Sequence, residues 1–140
     1  MTGIKCEIKV VSRQKMGSET EVTEEVYEGN YLDRGDKKYL SYKRHTEDGG
    51  IDCLLSYGAG KMTLSQQGGL KSKLEFIPGK KTDNLYQTPI GNMMVPVYTR
   101  GLSIHDKKDT IEIMLDYDIA TADAIRTLME ITVRIMDNKQ

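Results

Sequence analysis

The sequence has no tryptophan, one phenylalanine, three prolines and two cysteines among 140 residues. It also has no excess of charge, since 20 Lys and Arg balance 21 Asp and Glu and leave a net charge of -1. Binding to nucleic acid through its phosphates needs clustered basic residues, and no basic block occurs anywhere along the chain. We therefore expect no nucleic-acid partner.

Long apolar runs are absent too. No segment approaches the roughly 18 apolar residues that span a bilayer as a helix. Lys5 and Glu7 stand where a secretory signal would have an unbroken apolar stretch. We therefore expect a cytoplasmic protein without a membrane partner. The length suits one ordinary domain, so residues 1–140 are predicted to form a single unit.

Residues suited to catalysis or metal binding are few and scattered. His45 and His105 each lie beside a predicted turn, and no His, Cys, Asp or Glu cluster has metal-ligand spacing. Cys6 and Cys53 lie in separate apolar segments, which is typical of small buried thiols. Residues 58–63 lack both the first glycine and the Ser or Thr of a phosphate loop, and no nucleophile motif is present. We predict no catalytic residue, metal or cofactor.

Short segments of alternating apolar and polar residues, joined by polar or glycine-containing turns, fill the chain. This period of two is typical of half-buried strands. Residues 77–84 and 103–110 are interpreted as connections. The predicted strands are residues 4–12, 21–31, 37–46, 51–57, 61–67, 71–77, two within 85–102, 111–119 and 121–136.

Three details of these strands carry separate expectations. The apolar face changes between Val26 and Tyr27, which predicts a bulge or bend near residues 28–29. Pro96 lies within a strand, so it should be at an edge, at a bulge, or where its nitrogen faces no neighbour. The last segment also fits helical spacing, but its β-branched residues 131–133 favour a strand. A turn of helix near residues 122–125 remains an alternative.

About eight to ten antiparallel strands with short turns indicate an all-β barrel or sandwich. Closure into a barrel removes the sheet edges and is therefore favoured. The interior of an eight-stranded barrel is either filled by side chains or just wide enough for one small ligand.

Several short motifs resemble those of the YwiB-like family. The most specific is Tyr-Gln-Thr-Pro-Ile-Gly at residues 86–91; the others lie at residues 38–42, 64–68, 74–79 and 113–117. The resemblance extends from about residue 4 to residue 136. It implies a single antiparallel calycin-like, or lipocalin-like, β-barrel with little helix, in a bacterial cytoplasmic protein of unassigned function. Gln66 stands where the family pattern usually has an arginine, so no role of that arginine is carried over.

All eight large aromatic residues other than Phe76 are tyrosines, which pair an apolar ring with a hydroxyl and suit pockets and interfaces. The first functional hypothesis is therefore non-enzymatic binding of a small, partly apolar ligand. An open interior would support it, and a solidly packed one would oppose it. The candidate ligand contacts are Tyr39, Tyr42, Arg44, Tyr86, Arg100 and Tyr117.

The second hypothesis is a homodimeric interaction module that uses the strand at residues 92–102. Its outer face is unusually apolar, and the candidate interface residues are Met94, Pro96, Tyr98 and Leu102. An enzyme acting on a small molecule is third, and convergence of Arg, Glu and Tyr side chains in one cavity would favour it.

Overall fold

The computed structural model describes residues 3–47, 49–120 and 125–136. Within these residues the chain forms ten strands and no helix. The strands are β1 (Ile4–Met16), β2 (Glu19–Asp33), β3 (Lys38–Thr46), β4 (Gly49–Gly58), β5 (Lys61–Gln67), β6 (Lys71–Phe76), β7 (Lys81–Thr88), β8 (Gly91–Asp106), β9 (Thr110–Ile119) and β10 (Ile125–Ile135).

The strands form a closed antiparallel barrel in which each strand pairs with its neighbours in sequence. β1 closes the ring by pairing with both β2 and β10, from Cys6–Ile135 to Lys15–Arg126 on the β10 side. Closure pairs both edges of every strand in the ring, at least over part of its length. The prediction of an all-β barrel is confirmed, and the strand number lies at the upper end of the expected range.

One part of the interior is filled by apolar side chains, which we term the packed core. Its members are almost fully shielded from solvent because alternation turns them inward from strands that curve around a common centre. They are Cys6, Ile8, Leu40, Tyr57, Val97, Ile111, Ile113, Leu115 and Val133. Both cysteines are buried and unlinked, as the sequence predicted.

Two predicted connections are shorter than expected, because residues 81–84 belong to β7 and residues 103–106 belong to β8. β7 begins at Lys81, because Thr82 and Asn84 turn inward and Asn84 is only 3% exposed. β8 continues to Asp106, and Ile104 packs against the core. The strand at residues 81–84 was not predicted because its inward residues are polar. The strand at residues 103–106 was not predicted because the inward face of β8 changes at the register shift between Thr99 and Gly101. The strand prediction for β10 is confirmed, whereas residues 121–124, in the proposed helical turn, lie outside the described part.

Of the two alternatives for residues 28–29, a bulge or a bend, the bulge is wrong. The β1–β2 ladder is continuous from Ile4–Tyr31 to Met16–Glu19, and Val26 simply points outward, 57% exposed. Gly29 has a different role. A Cβ atom there would lie 2.4 Å from the Ser41 carbonyl oxygen, so only glycine allows β2 and β3 to approach at this point.

The bulge lies in β8 instead, where the register with β9 shifts between Thr99 and Gly101. Thr99 faces inward opposite Tyr117, and Leu102 faces inward opposite Leu115. The expectation that Leu102 shares a face with Met94, Pro96 and Tyr98 is therefore wrong, because the extra residue reverses the alternation. Pro96 lies just before Val97–Ile119, the first pair of the β8–β9 ladder, so its missing amide breaks no pair there.

Candidate functional site

A cavity of about 370 Å³ occupies the rest of the interior, toward the barrel end that carries the β1–β2, β3–β4, β5–β6 and β7–β8 turns. Inward side chains from every strand except β8 line it. Its apolar wall consists of Val10, Leu55, Met62, Leu64, Leu70, Leu74, Phe76, Met129 and Ile131. Its polar wall consists of Ser12, Gln14, Glu25, Tyr27, Tyr42, Arg44, Gln66, Tyr86 and Tyr117.

The two classes of side chain are arranged in order along the strands. The inward residues of β1 run from Ile8 and Val10 to Ser12 and Gln14 as the strand approaches its turn with β2. Those of β3 run from Leu40 through Tyr42 to Arg44 in the same direction. The cavity therefore has an apolar floor against the packed core and a polar mouth near the turns.

β2 and β3 separate at the mouth. Their ladder runs from Asp33–Lys38 to Gly29–Tyr42 and ends there, although β2 extends back to Glu19 and β3 continues to Thr46. The rings of Tyr27 and Tyr42 stack across this separation with their centroids 4.9 Å apart and their planes 30° apart. Stacked aromatic pairs are favourable contacts, and this pair lies in the cavity wall where β2 and β3 separate.

Two charged side chains reach the cavity, Glu25 from β2 and Arg44 from β3. Burial raises the pKa of Tyr27 to about 12; hydrogen bonding to the Glu25 carboxylate and the charge of that carboxylate add to the rise, and the Arg44 guanidinium opposes it. Burial also raises the pKa values of Tyr42 and Tyr86, and the charge of Arg44 again lowers both. These tyrosines are therefore protonated at neutral pH and offer hydroxyl donors around one cation.

Gln66 is held in place within the wall. Its Oε1 accepts a hydrogen bond from the Ser72 hydroxyl at 3.1 Å, and its Nε2 lies 4.0 Å from the Cys53 sulfur. Burial raises the pKa of the Cys53 thiol. A buried, protonated thiol is a poor nucleophile.

β6 and β7 also separate over part of their length, and side-chain hydrogen bonds bridge the gap between them. These strands pair only at Lys71–Gln87 and Ser72–Tyr86. Beyond those pairs Asn84 Oδ1 accepts a hydrogen bond from the Glu75 amide at 3.0 Å, and the Thr82 hydroxyl donates to the Glu75 carbonyl at 2.8 Å. Asn84 Nδ2 also donates to the Val95 carbonyl at 3.1 Å. Buried Asn84 thus replaces the missing ladder and keeps this wall closed.

The structure brings four of the six predicted ligand contacts together, since Tyr42, Arg44, Tyr86 and Tyr117 all line the cavity. It does not bring the other two there. Tyr39 alternates with inward Leu40 and faces outward. Arg100 lies on the outer surface, where its guanidinium pairs with Asp118 at 2.9 Å.

Glu25 and Tyr27 were not among the predicted ligand contacts, because the expected change of face in β2 obscured which of its side chains turn inward. Tyr27 and Tyr31 lie on the same face of β2. Tyr27 pairs with the buried Ile8 of β1, which shows that this face turns inward. Gln66 was noted only as a departure from the family pattern. Its inward position follows from its place two residues after Leu64.

A larger hollow of about 460 Å³ lies on the outer surface, over the bulge at Gly101. Its charged groups already have partners, since Arg13 pairs with Glu130 at 2.7 Å and Asp116 pairs with Arg126 at 2.9 Å. The interior cavity is smaller but encloses groups that are not paired in this way. We therefore take the interior cavity as the candidate site.

The proposed interface residues other than Leu102 share one outer face of β8. Met94 is 58% exposed and lies opposite Leu85, which is also exposed. Tyr98 is exposed farther along the same strand, and Pro96 lies between them. Together these four residues form an apolar surface, which we term the β7–β8 patch.

Among the described residues, no group of three or more His, Cys, Asp or Glu side chains is placed to hold a metal ion. The described residues also contain no helix of the length and apolarity needed to cross a bilayer.

Residues 8–135 match a family described as a domain of unknown function, DUF1934. Among solved structures, the ywiB protein from Bacillus subtilis resembles the chain with a TM-score of 0.86 and 20% identity, over 96% of this chain and 93% of that protein. At this identity the likeness supports the fold alone. The attachment invasion locus protein Ail of Yersinia pestis covers 96% of this chain and 99% of its own at 7% identity, but its TM-score of 0.35 carries no argument. No curated protein matches the chain.

Proposed function

Since the chain belongs to the DUF1934 family, a domain of unknown function, we propose from its own interior that the barrel binds one small, partly apolar molecule without transforming it. The observation that carries the proposal is the interior cavity of about 370 Å³ with an apolar floor and a polar mouth. Ligand sites are typically concave and mainly apolar, with a few placed polar groups and volumes of about 300–1,000 Å³. This cavity lies at the small end of that range.

Binding fits the cavity better than catalysis does, even though Arg, Glu and Tyr side chains converge in it. A general base or nucleophile needs a pKa close to the working pH. Burial instead raises the pKa values of Tyr42 and Tyr86 in the cavity and of Cys53 behind it. Groups that hold their protons serve as hydrogen-bond donors to a ligand, and an enzyme stays the third hypothesis.

Binding of the neutral dye N-phenylnaphthylamine tests the proposal, because the dye fluoresces strongly only in apolar surroundings. We expect saturable binding of one dye per chain. Leu64→Trp places a larger side chain in the cavity wall and should abolish it. Met114→Trp is the matched control, since Met114 is exposed on the outer surface and its replacement should leave dye binding intact.

No saturable dye binding by the wild-type chain, or equal binding by the Leu64→Trp variant, would contradict the proposal. Circular dichroism of each variant checks that the barrel has folded.

The β7–β8 patch supports a second candidate, a homodimer formed through this face. Met94 and Leu85 are paired across two strands, both exposed, with Tyr98 and Pro96 beside them. Exposed apolar side chains grouped on one outer face are a common feature of interfaces. Tyr98→Asp should shift the mass seen by light scattering from dimer toward monomer. A wild-type chain that is already monomeric would remove this candidate.

We also propose that the protein works in the cytoplasm. Its outer face carries cross-strand ion pairs, among them Lys9–Glu24 at 3.2 Å and Arg134–Glu7 at 3.1 Å. An antiparallel sheet with a charged outer face is suited to water on that side. Fractionation of cells that express the chain would test the assignment, and recovery outside the cytosolic fraction would contradict it.

A further inference from the structure

We propose that the ligand is an amphiphile with one carboxylate, which binds Arg44 at the mouth while its apolar chain lies against the floor of the cavity. This inference rests on the proposed function and names the chemical class that the site takes. Three observations support it: Arg44 has no ion-pair partner among the described residues, Glu25 does not pair with it, and the cavity floor is apolar.

Arg44 differs from the four arginines on the outward faces of β1, β8 and β10. Arg34, in the turn between β2 and β3, also forms no ion pair with a described residue, but its side chain is exposed to water. Arg13, Arg100, Arg126 and Arg134 each form an ion pair with a carboxylate at 2.7 to 3.1 Å. Arg44 lies half-buried in the cavity wall and forms no ion pair with any described residue. A cation partly withdrawn from water gains most from a carboxylate, because two oxygens match the guanidinium fork.

Glu25 is the one acidic side chain in the described cavity wall, and it does not fill this role. No ion pair joins it to Arg44 within the described residues, and its side chain is exposed at the mouth. The pKa of Tyr27 is raised first by burial and then by hydrogen bonding to Glu25, and hydrogen bonding to Arg44 lowers it, so the Tyr27 hydroxyl lies between the carboxylate and the guanidinium. The anion for Arg44 is therefore left to the ligand.

The charge of Arg44 influences the neighbouring groups of the cavity wall. After the larger effect of burial, which raises them, the charge of Arg44 lowers the pKa values of Tyr42, Cys53 and Tyr86. An anion beside Arg44 would therefore lie among tyrosine hydroxyls that can donate hydrogen bonds to it. Hydrogen bonds to a charged partner are about twice as strong as those between neutral groups.

The apolar floor of the cavity determines the chemistry of the part of the ligand that lies beyond the carboxylate. Beyond the tyrosines the wall is made of aliphatic side chains and one aromatic ring, including Leu55, Leu64, Leu74, Phe76 and Ile131. A hydrocarbon chain placed there is stabilised by every methylene that it removes from water. The order of polarity along the strands thus matches a molecule with one charged end and one apolar end.

Displacement of N-phenylnaphthylamine by decanoate, decanol and decylamine tests this inference. The three compounds share one chain and differ in the charge of the head group. The wild-type chain should prefer decanoate to decylamine. The Arg44→Gln variant should lower the affinity for decanoate relative to decanol about tenfold or more, since hydrogen bonds to charged groups are worth that much. Arg44→Lys keeps the charge and should retain part of the preference.

Arg100→Gln is the matched control. It removes an arginine of the same length from the outer surface and should leave the decanoate-to-decanol ratio as in the wild type. Thermal unfolding of each variant, followed by circular dichroism, checks that the barrel remains folded.

An unchanged ratio in a folded Arg44→Gln variant would overturn the inference. So would tighter binding of decylamine than of decanoate, which would make Glu25 the anchor. In both cases binding of the dye itself would leave the proposed function standing. Failure of the wild-type chain to bind the dye or any of the three compounds would instead overturn both.

Discussion

The packed core and the cavity share the same strands but are built from different side chains. In the packed core the inward positions hold aliphatic residues that fill the space, such as Ile111, Ile113 and Val133. Nearer the turns the same strands present tyrosines, amides and charges, as where β9 passes from Leu115 to Tyr117. The difference shows that one barrel can be sealed at one end and open at the other. Stability then rests mainly on the first part, which leaves the second free to bind.

The largest expected effect comes from truncation in the packed core. Ile113 is 1% exposed, and Ile113→Ala should lower the free energy of unfolding by about 2–5 kcal/mol, because the removed atoms leave a void. Leu64→Ala is the comparison. Leu64 is only partly buried and already borders empty space, so its truncation should cost less, about 1–2 kcal/mol. Urea unfolding followed by circular dichroism measures both, and equal losses would contradict a difference in packing between the two parts.

A somewhat smaller effect is expected where the β2–β3 ladder ends. In Gly29→Ala the new methyl group would meet the Ser41 carbonyl oxygen at 2.4 Å and Ile8 Cδ1 at 2.9 Å. Overpacking of this kind typically costs about 1–3 kcal/mol. Gly101→Ala is the control, since nothing lies within 4 Å of a Cβ atom there. The same unfolding experiment should show a loss for Gly29→Ala alone, and equal stability of the two variants would contradict the close approach of β2 and β3.

Removal of the aromatic stack should affect access more than stability. Tyr27→Ala eliminates the stacking contact with Tyr42, in which the two ring centroids lie 4.9 Å apart. Such pairs are worth about 0.5–1.5 kcal/mol beyond their buried area, so a modest loss of stability is expected. Stopped-flow fluorescence should show faster release of N-phenylnaphthylamine. Release as slow as in the wild type would mean that the ligand does not pass between β2 and β3.

A further expected effect is a dependence of stability on alkaline pH. The pKa of Tyr27 is raised from 10.0 to about 12, mainly by burial, so the folded state favours the protonated hydroxyl. The resulting contribution to stability is complete below pH about 10 and is lost as the pH rises toward about 12. Tyr27→Phe cannot ionise there and should lose less stability over this interval. Urea unfolding at several alkaline pH values measures the loss, and identical losses in both proteins would contradict the assignment.

Much of the fold was predictable because it depends on local alternation. The strands from Lys38 to Phe76, the strand at β9 and the choice of strand for β10 all followed from period-two patterns. The resemblance to the YwiB-like family, inferred from short motifs, is confirmed by the DUF1934 match over residues 8–135 together with the structural match to the ywiB protein. These features need no knowledge of distant contacts.

The errors arose where a distant neighbour decides the face of a residue. The bulge at Gly101 reverses the alternation of β8, and nothing local announces it, so Leu102 was placed on the wrong face. Asn84 reads as part of a polar loop, yet it is buried because β6 and β7 need its amide between them. Tyr39 and Arg44 lie five positions apart in β3, so alternation alone already places them on opposite faces and both could not have lined one cavity.

Native mass spectrometry of the protein, purified without denaturant from its own host, tests the central claim most directly. The account predicts a species heavier than the bare chain by one small molecule, or uptake of one N-phenylnaphthylamine when the chain is isolated empty. Leu64→Trp should show neither. A wild-type chain that carries only its own mass and takes up no dye would contradict the claim that the open end of the barrel is a binding site.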